Sequence, residues 1–181
     1  MKLSPAGLDG SYLIDITRIG DDRGFFARIW DEAWSDQLGV ETRNVQTNLS
    51  TNRHRGTTRG LHWQEPPYGE SKLLRCTRGA VFDVAVDLRP DSPTYHQWQG
   101  HVLDAEARTM VFVPVGCAHG YQALEDDAEV SYQVSHPYVP GSERGIRWDD
   151  PTLGIRWPIT DGVIVSDKDA AWPDLDPQTH A

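Results

Sequence analysis

Positive charge is scarce in this 181-residue chain: 17 Lys+Arg stand against 27 Asp+Glu, a formal net charge of −10 at pH 7. A surface this acidic repels phosphate backbones and anionic bilayers, which excludes nucleic acid and membrane as partners. An anionic ligand then has to be held by a local cluster of cations. Cysteine is nearly absent too. Cys76 and Cys117 form neither a CxxC pair nor a secreted disulfide framework, so a reducing, cytoplasmic setting is expected. No apolar run is long enough to span a bilayer, and the first residues, MKLSPAGLDG, lack the basic-then-apolar layout of a signal peptide. The glycine fingerprint and strand–helix alternation of a dinucleotide-binding sheet are missing. So are internal repeats, low-complexity stretches and linkers. One domain over residues 1–181 is expected, large enough to bury a core without disulfides or a structural metal.

What the chain does have is strand. Residues 77–88, 109–113 and 128–134 are rich in β-branched and aromatic types and alternate apolar with polar. Turn-forming clusters such as Arg89-Pro90-Asp91-Ser92-Pro93 and His136-Pro137-Tyr138-Val139-Pro140-Gly141 bound them. Many short strands at even spacing predict an all-β sandwich or barrel. Only short peripheral helices are expected, over 31–38 ended by Gly39, and at 166–171 with Ser166 as N-cap. Residues 172–181 read as a loosely held tail to a core of about 21–170.

Chemistry concentrates in three segments: Arg59-Gly60-Leu61-His62-Trp63-Gln64, Ser71-Lys72-Leu73-Leu74-Arg75 and Pro114-Val115-Gly116-Cys117-Ala118-His119-Gly120. A histidine beside a lysine and an arginine suits a base paired with cations that stabilise a developing oxyanion, which points to chemistry next to a carbonyl. On a strand of period two, His62 faces opposite to Leu61 and Trp63; if those pack between layers, His62 points into a barrel mouth. A base of this kind usually donates its other ring N–H to a carboxylate, and Asp83, Asp87 and Asp169 are the candidates. Tyr132, on a predicted strand, is by default a packed aromatic, but its phenol also suits return of a proton to the opposite face of an enolate. The Pro114-x-Gly116-x-x-His119 spacing is shared by the second motif of cupins. Metal-binding cupins add an HxH and a Glu; here the sequence reads His62-Trp63-Gln64, so no metal is expected, and His119 is read as a phosphate or hydroxyl contact.

A longer series of motifs carries a specific resemblance. Asp22-Arg23-Gly24-Phe25-Phe26, Gln46-x-Asn48-x-Ser50, the Arg59 to Gln64 stretch, Lys72-Leu73-x-Arg75, Gly79-x-Val81-x-Asp83 through Arg89, Ser92-Pro93-Thr94, the Pro114 to Gly120 stretch, Trp148-Asp149-Asp150-Pro151 and Ser166-Asp167-Lys168-Asp169 follow one another in order. In that order and spacing the chain resembles the dTDP-4-dehydrorhamnose 3,5-epimerase family. The resemblance implies a cupin-type jelly roll (double-stranded β-helix), no cofactor or metal, and a homodimer whose N-terminal segment completes the partner's site. It implies epimerisation of a nucleotide-linked 4-keto-6-deoxyhexose at C3, C5 or both. By position, His62 resembles the base, Asp169 its carboxylate partner, Tyr132 the acid and Lys72 the group that stabilises the enolate oxygen. Arg59, His119, Gln46 and Asn48 match positions that hold the nucleotide diphosphate and sugar; Arg23 and Phe26 match positions that reach the neighbouring subunit's nucleotide; Tyr138 is similar to an aromatic that stacks near base or sugar. Two departures stand out. Arg28 replaces a glutamate that contacts the nucleotide base, and Gln133-Val134-Ser135 replaces Lys-Thr-Thr after the tyrosine, which leaves the base identity and the number of inverted centres open. A single-centre epimerase, a ketoisomerase and a non-catalytic sugar-nucleotide-binding cupin are the alternatives. The last is disfavoured because His62, Lys72 and Tyr132 are all present.

Overall fold

The computed structural model describes residues 1–34, 38 and 43–176. Two antiparallel sheets face each other. One runs β1 (Lys2–Pro5), β2 (Tyr12–Asp15), β10 (Met110–Val113), β7 (Lys72–Arg78), β12 (Ala128–Val134), β5 (Gln46–Asn52). The other runs β13 (Glu143–Gly145), β6 (Thr58–Gln64), β11 (Cys117–Ala123), β8 (Ala80–Asp87), β9 (Trp98–Asp104). From β5 onward the chain steps almost strictly from one sheet to the other, so it winds as a two-sheet jelly roll. A separate hairpin, β3 (Arg18–Asp21) and β4 (Gly24–Ala27), stands outside both sheets, and one short helix, α1 (Asp167–Ala170), follows β13.

Alternation along the strands sorts side chains into three apolar layers. Leu74, Cys76, Val81, Ala85, Val111, Val113, Tyr121 and Val130 meet between the sheets. On the outer face of the five-stranded sheet Leu61, Val84, Val86 and Ala118 pack against Ile146, Leu153, Trp157 and Leu175 from the C-terminal segment. Met110 and Phe112, one residue out of phase with Val111 and Val113, pack outward against Ile14, Trp34 and Leu38. β8 is covered on both faces, which is why it reads as an almost unbroken apolar run.

Two sequence expectations change and one lies partly outside the described residues. The run 77–88 is two strands, broken at Gly79, which turns with φ +66. Of the helix expected over 31–38 and ended by Gly39, residues 35–37 and 39 lie outside the described residues; Trp34 and Leu38 are buried. The stretch from 172 is no loose tail as far as residue 176. Leu175 is buried and its N–H donates to Asp150 Oδ2 at 2.6 Å, while the Arg147 N–H donates to Pro173 O at 3.0 Å. The helix at the C-terminal end forms as expected, with Ser166 Oγ accepting from the Asp169 N–H.

The turn after β8 is fastened by Asp87, which is fully buried and accepts from Arg89 Nε at 2.8 Å, Ser92 Oγ at 2.5 Å and Thr94 Oγ1 at 2.6 Å. Burial pushes this carboxyl up, but the hydrogen bonds from Arg89, Ser92 and Thr94 outweigh it and bring it from 3.8 to about 2. A carboxyl lowered by folding contributes stability that is complete above its unfolded range and lost as pH falls through its folded value. Asp87→Asn should therefore lower stability at pH 7 by about 2 kcal/mol. It should also flatten the loss of wild-type stability between about pH 4 and about pH 2, as read by urea denaturation across that window.

Candidate active site

The cavity between the open ends of the two sheets holds about 500 Å³. One irregularity arranges it. His62 pairs with His119 and Arg59 with Tyr121, so β6 carries one residue more than β11 over this stretch, a β-bulge. Strict alternation would send Arg59 and His62, three positions apart, to opposite faces. The bulge lets both reach the cavity. It forms where Gly60 meets Gly120: a Cβ on Gly60 would lie 2.6 Å from Gly120 Cα, and Gly60 adopts φ +115. His62 does face away from Leu61 and Trp63, which belong to the outer apolar layer.

His62 Nε2 lies 2.6 Å from Asp169 Oδ1. The other carboxylate oxygen accepts the Gly60 N–H at 3.3 Å, so Asp169 ties the bulge to α1. Burial pushes the Asp169 carboxyl up; the hydrogen bond and charge of His62 and the Gly60 N–H outweigh it, and the net displacement is downward. An ionised Asp169 accepts from Nε2–H and leaves Nδ1 as the ring nitrogen with a free lone pair. Glu143 Oε1 lies 3.9 Å from that nitrogen, and the same carboxylate pairs with Lys168.

Facing this wall, the six-stranded sheet contributes Lys72, Leu74, Tyr132 and the β5 side chains Gln46, Asn48 and Ser50. Lys72 Nζ is 3.1 Å from Glu70 Oε1, both side chains about nine-tenths buried, and Gln64 Nε2 donates to the other Glu70 oxygen. Burial raises the Tyr132 phenol, and the nearby Tyr121 and Glu70 add to it, so Tyr132 stays a proton carrier at neutral pH. His119 is buried and its Nε2 is 2.8 Å from Asp83 Oδ2. Arg59 is oriented by Asn52 Oδ1 at 2.9 Å, and Tyr138 donates its backbone N–H to Gln46 Oε1 at 2.8 Å. Among the described residues no group of three or more His, Cys, Asp or Glu side chains is placed to hold a metal ion, and no helix is long and apolar enough to cross a membrane.

The family model described as dTDP-4-dehydrorhamnose 3,5-epimerase matches residues 5–177. This chain belongs to that family. It is a carbohydrate epimerase, an isomerase with a cupin jelly roll. Among its relatives, a dTDP-4-dehydrorhamnose 3,5-epimerase from Methanothermobacter thermautotrophicus is 46% identical over 93% of this chain and 91% of its own. The crystal structure of the Elizabethkingia anophelis enzyme of the same name superposes with a TM-score of 0.93 at 36% identity, covering 96% of each chain. An epimerase from Legionella pneumophila, solved in complex with dTDP-4-keto-L-rhamnose, superposes with a TM-score of 0.89 at 37% identity, covering 96% of this chain and 92% of that one.

Of the residues singled out in the sequence, this epimerase brings Gln46, Asn48, Arg59, His62, Lys72, His119, Tyr132, Tyr138 and Asp169 around one cavity. Arg23, Phe26 and Arg28 lie apart from it. Arg23 is held by Asp21 at 2.5 Å, Arg28 by Asp31 at 2.9 Å, and Phe26 is 64% exposed. Of the three candidate aspartates, Asp169 meets His62, Asp83 meets His119 and Asp87 meets Arg89. The sequence reading missed Glu70, Glu143 and Lys168. Glu70 is two residues before Lys72 on the same strand approach, a signal that was legible; Glu143 reaches the site only through β13 pairing with β6.

Gly60→Ala should test the bulge. It adds a clash with Gly120 to the cost of the backbone conformation, whereas Gly154→Ala, at φ +57 with nothing within 4 Å, adds only the latter. The expected losses in thermal unfolding are roughly 2 kcal/mol or more for the first and about 1 kcal/mol for the second. Equal losses would refute the close-approach account.

Proposed function

We propose that this epimerase takes a nucleotide-linked 4-keto-6-deoxyhexose, of the dTDP-4-dehydro-6-deoxyglucose type, and inverts C3, C5 or both. The observation that carries the reading is that His62, backed by Asp169, and Tyr132 line the same cavity from facing sheets. Inversion needs a proton removed from one face of a carbon and returned to the other. With the sugar between the sheets, His62 Nδ1 removes the proton next to the ketone, the C–H electron pair forms the enolate C=C, and the negative charge develops on the C4 oxygen. Lys72 stabilises that oxygen, a contribution worth about 10²–10³ in rate where such donors have been removed. Tyr132 then donates its phenol proton to the opposite face, the carbonyl re-forms, and solvent returns the protons to their starting groups. The substrate's own carbonyl accepts the electrons, so no redox cofactor enters. Arg59 and His119 hold the diphosphate, Gln46 and Asn48 the sugar or nucleotide, and Tyr138 stacks at the cavity mouth.

Incubation with dTDP-4-keto-6-deoxyglucose in D₂O tests this directly, because deuterium enters only at carbons the enzyme deprotonates. Wild type should take up one deuterium for a single-centre epimerase and two for a 3,5-epimerase. His62→Ala should slow uptake at every centre by about 10²–10⁴. Tyr132→Phe should keep uptake while net inversion falls sharply. Near-normal turnover in His62→Ala, or equal loss of uptake and inversion in Tyr132→Phe, would count against the assigned roles.

The cytoplasmic enzyme works as a homodimer in this reading. The β3–β4 hairpin presents Ile19 and Phe26, cross-strand neighbours at 68% and 64% exposure, beside Arg23, with no apolar cover from their own chain among the described residues. Crossing to a partner would bury them and bring Arg23 and Phe26 to the partner's nucleotide. Arg28 then stands near the base, where a donor-only guanidinium in place of an acceptor-only carboxylate reverses what the base edge must offer. A dimer by light scattering is expected, with Arg28→Glu shifting selectivity toward dTDP over UDP and CDP sugars. A fully active monomer would refute the first half, and unchanged selectivity the second.

A further inference from the structure

His62 pairs directly across β13 with Gly145. Gly145 does not adopt a left-handed conformation, so its backbone would accept any residue; what a side chain there would strike is the indole of Trp172. The space that a cross-strand neighbour of His62 would normally fill is occupied instead by an aromatic from the C-terminal segment. The two rings meet edge to face, centroids 6.1 Å apart and planes at 66°. Trp172 does not line the cavity; it stands behind the histidine. It lies three positions after Asp169, so one short segment supplies both the carboxylate at Nε2 and the aromatic wall against the ring.

The wall is itself fixed. Beyond Trp172 the chain is pinned by the Arg147 N–H to Pro173 O and the Leu175 N–H to Asp150 Oδ2. Lys168 Nζ sits 5.8 Å over the indole and pairs with Glu143, the carboxylate near His62 Nδ1. The indole N–H is buried with no hydrogen-bond partner among the described residues. An apolar side chain would fill this space without that unpaired donor, so core filling alone does not account for tryptophan here.

We infer that Trp172 is a positioning residue that holds the plane of the His62 ring. The torsion that turns an imidazole about its Cβ–Cγ bond is broad. A single hydrogen bond at Nε2 fixes one end of the ring and leaves it free to tilt about that bond; the indole removes that freedom and keeps Nδ1 aimed into the cavity. Misplacing a reacting atom by about 1 Å costs about 10²-fold in rate, so the effect belongs in kcat.

The inference rests on the epimerase reading for its assay, and Trp172→Leu and Trp172→Phe test it. Both keep an apolar side chain at this position, but only Phe keeps an aromatic edge. In the D₂O exchange assay, Trp172→Leu should lower kcat by about tenfold or more with KM little changed, and Trp172→Phe should restore most of it. A contact readout needs no substrate: the emission lost between wild type and Trp172→Phe should be quenched as His62 protonates, with a pH dependence absent from His62→Asn. Leu and Phe variants with equal kcat would overturn the inference, as would an emission difference whose pH dependence survives His62→Asn. Absence of exchange in wild type would overturn the epimerase reading instead and leave the emission comparison to decide the contact.

Discussion

Two glycines meeting across β6 and β11 are the constraint on which the site depends. Neither Gly60 nor Gly120 could carry a Cβ, since one on Gly120 would lie 2.5 Å from Arg59 O. Their approach permits the extra residue in β6, and that residue turns Arg59 into the cavity that His62 already faces. The Gly60 N–H then donates to Asp169, which holds His62. Backbone irregularity, carboxylate and imidazole form one linked unit, and the C-terminal segment is drawn over the outer sheet face to complete it.

Charge is distributed by the same logic. A molecule of net charge −10 collects Arg59, Lys72, Lys168, His62 and His119 around one cavity. Each of those groups but Arg59 has an acid of its own: Glu70 at Lys72, Glu143 at Lys168, Asp169 at His62 and Asp83 at His119. Arg59 instead leans on neutral Asn52 and a backbone carbonyl, which leaves its full charge for an anion. The enclosed pairs cost desolvation, and their worth is geometric: each holds a cation or a ring where a ligand would meet it.

The sequence carried the strands well because alternation is local. Residues 109–113 and 128–134 match β10 and β12 nearly end to end, since the phase of β10 is set by the two apolar layers it separates and that of β12 by the layer between the sheets. The break at Gly79 was lost because the polar end of β7, Thr77 and Arg78, runs into the apolar β8 with only a single glycine between them and no proline or turn cluster to mark it. Within the site, period-two reasoning placed His62 against Leu61 and Trp63 but could not have placed Arg59 beside it, because the bulge is a property of the pair of strands. The choice among Asp83, Asp87 and Asp169 was likewise non-local, made by α1 folding back onto β6. The packing of Trp172 and Leu175 escaped notice because Pro173 and the flanking aspartates look like a terminus, while Leu175 is taken up by the outer layer and Trp172 packs against His62.

The two histidines show how one cavity separates roles by environment. His119 is almost closed off and its pairing with Asp83 lies inside the sheet interior, so its ring is held in one orientation. His62 keeps about a quarter of its side chain exposed, with one nitrogen committed to Asp169 and the other open, which is the arrangement a base needs. Tyr132 stands on the other sheet, kept protonated by burial. A jelly roll has two walls facing one space, and a reaction that removes a proton from one face of a carbon and restores it to the other has use for both.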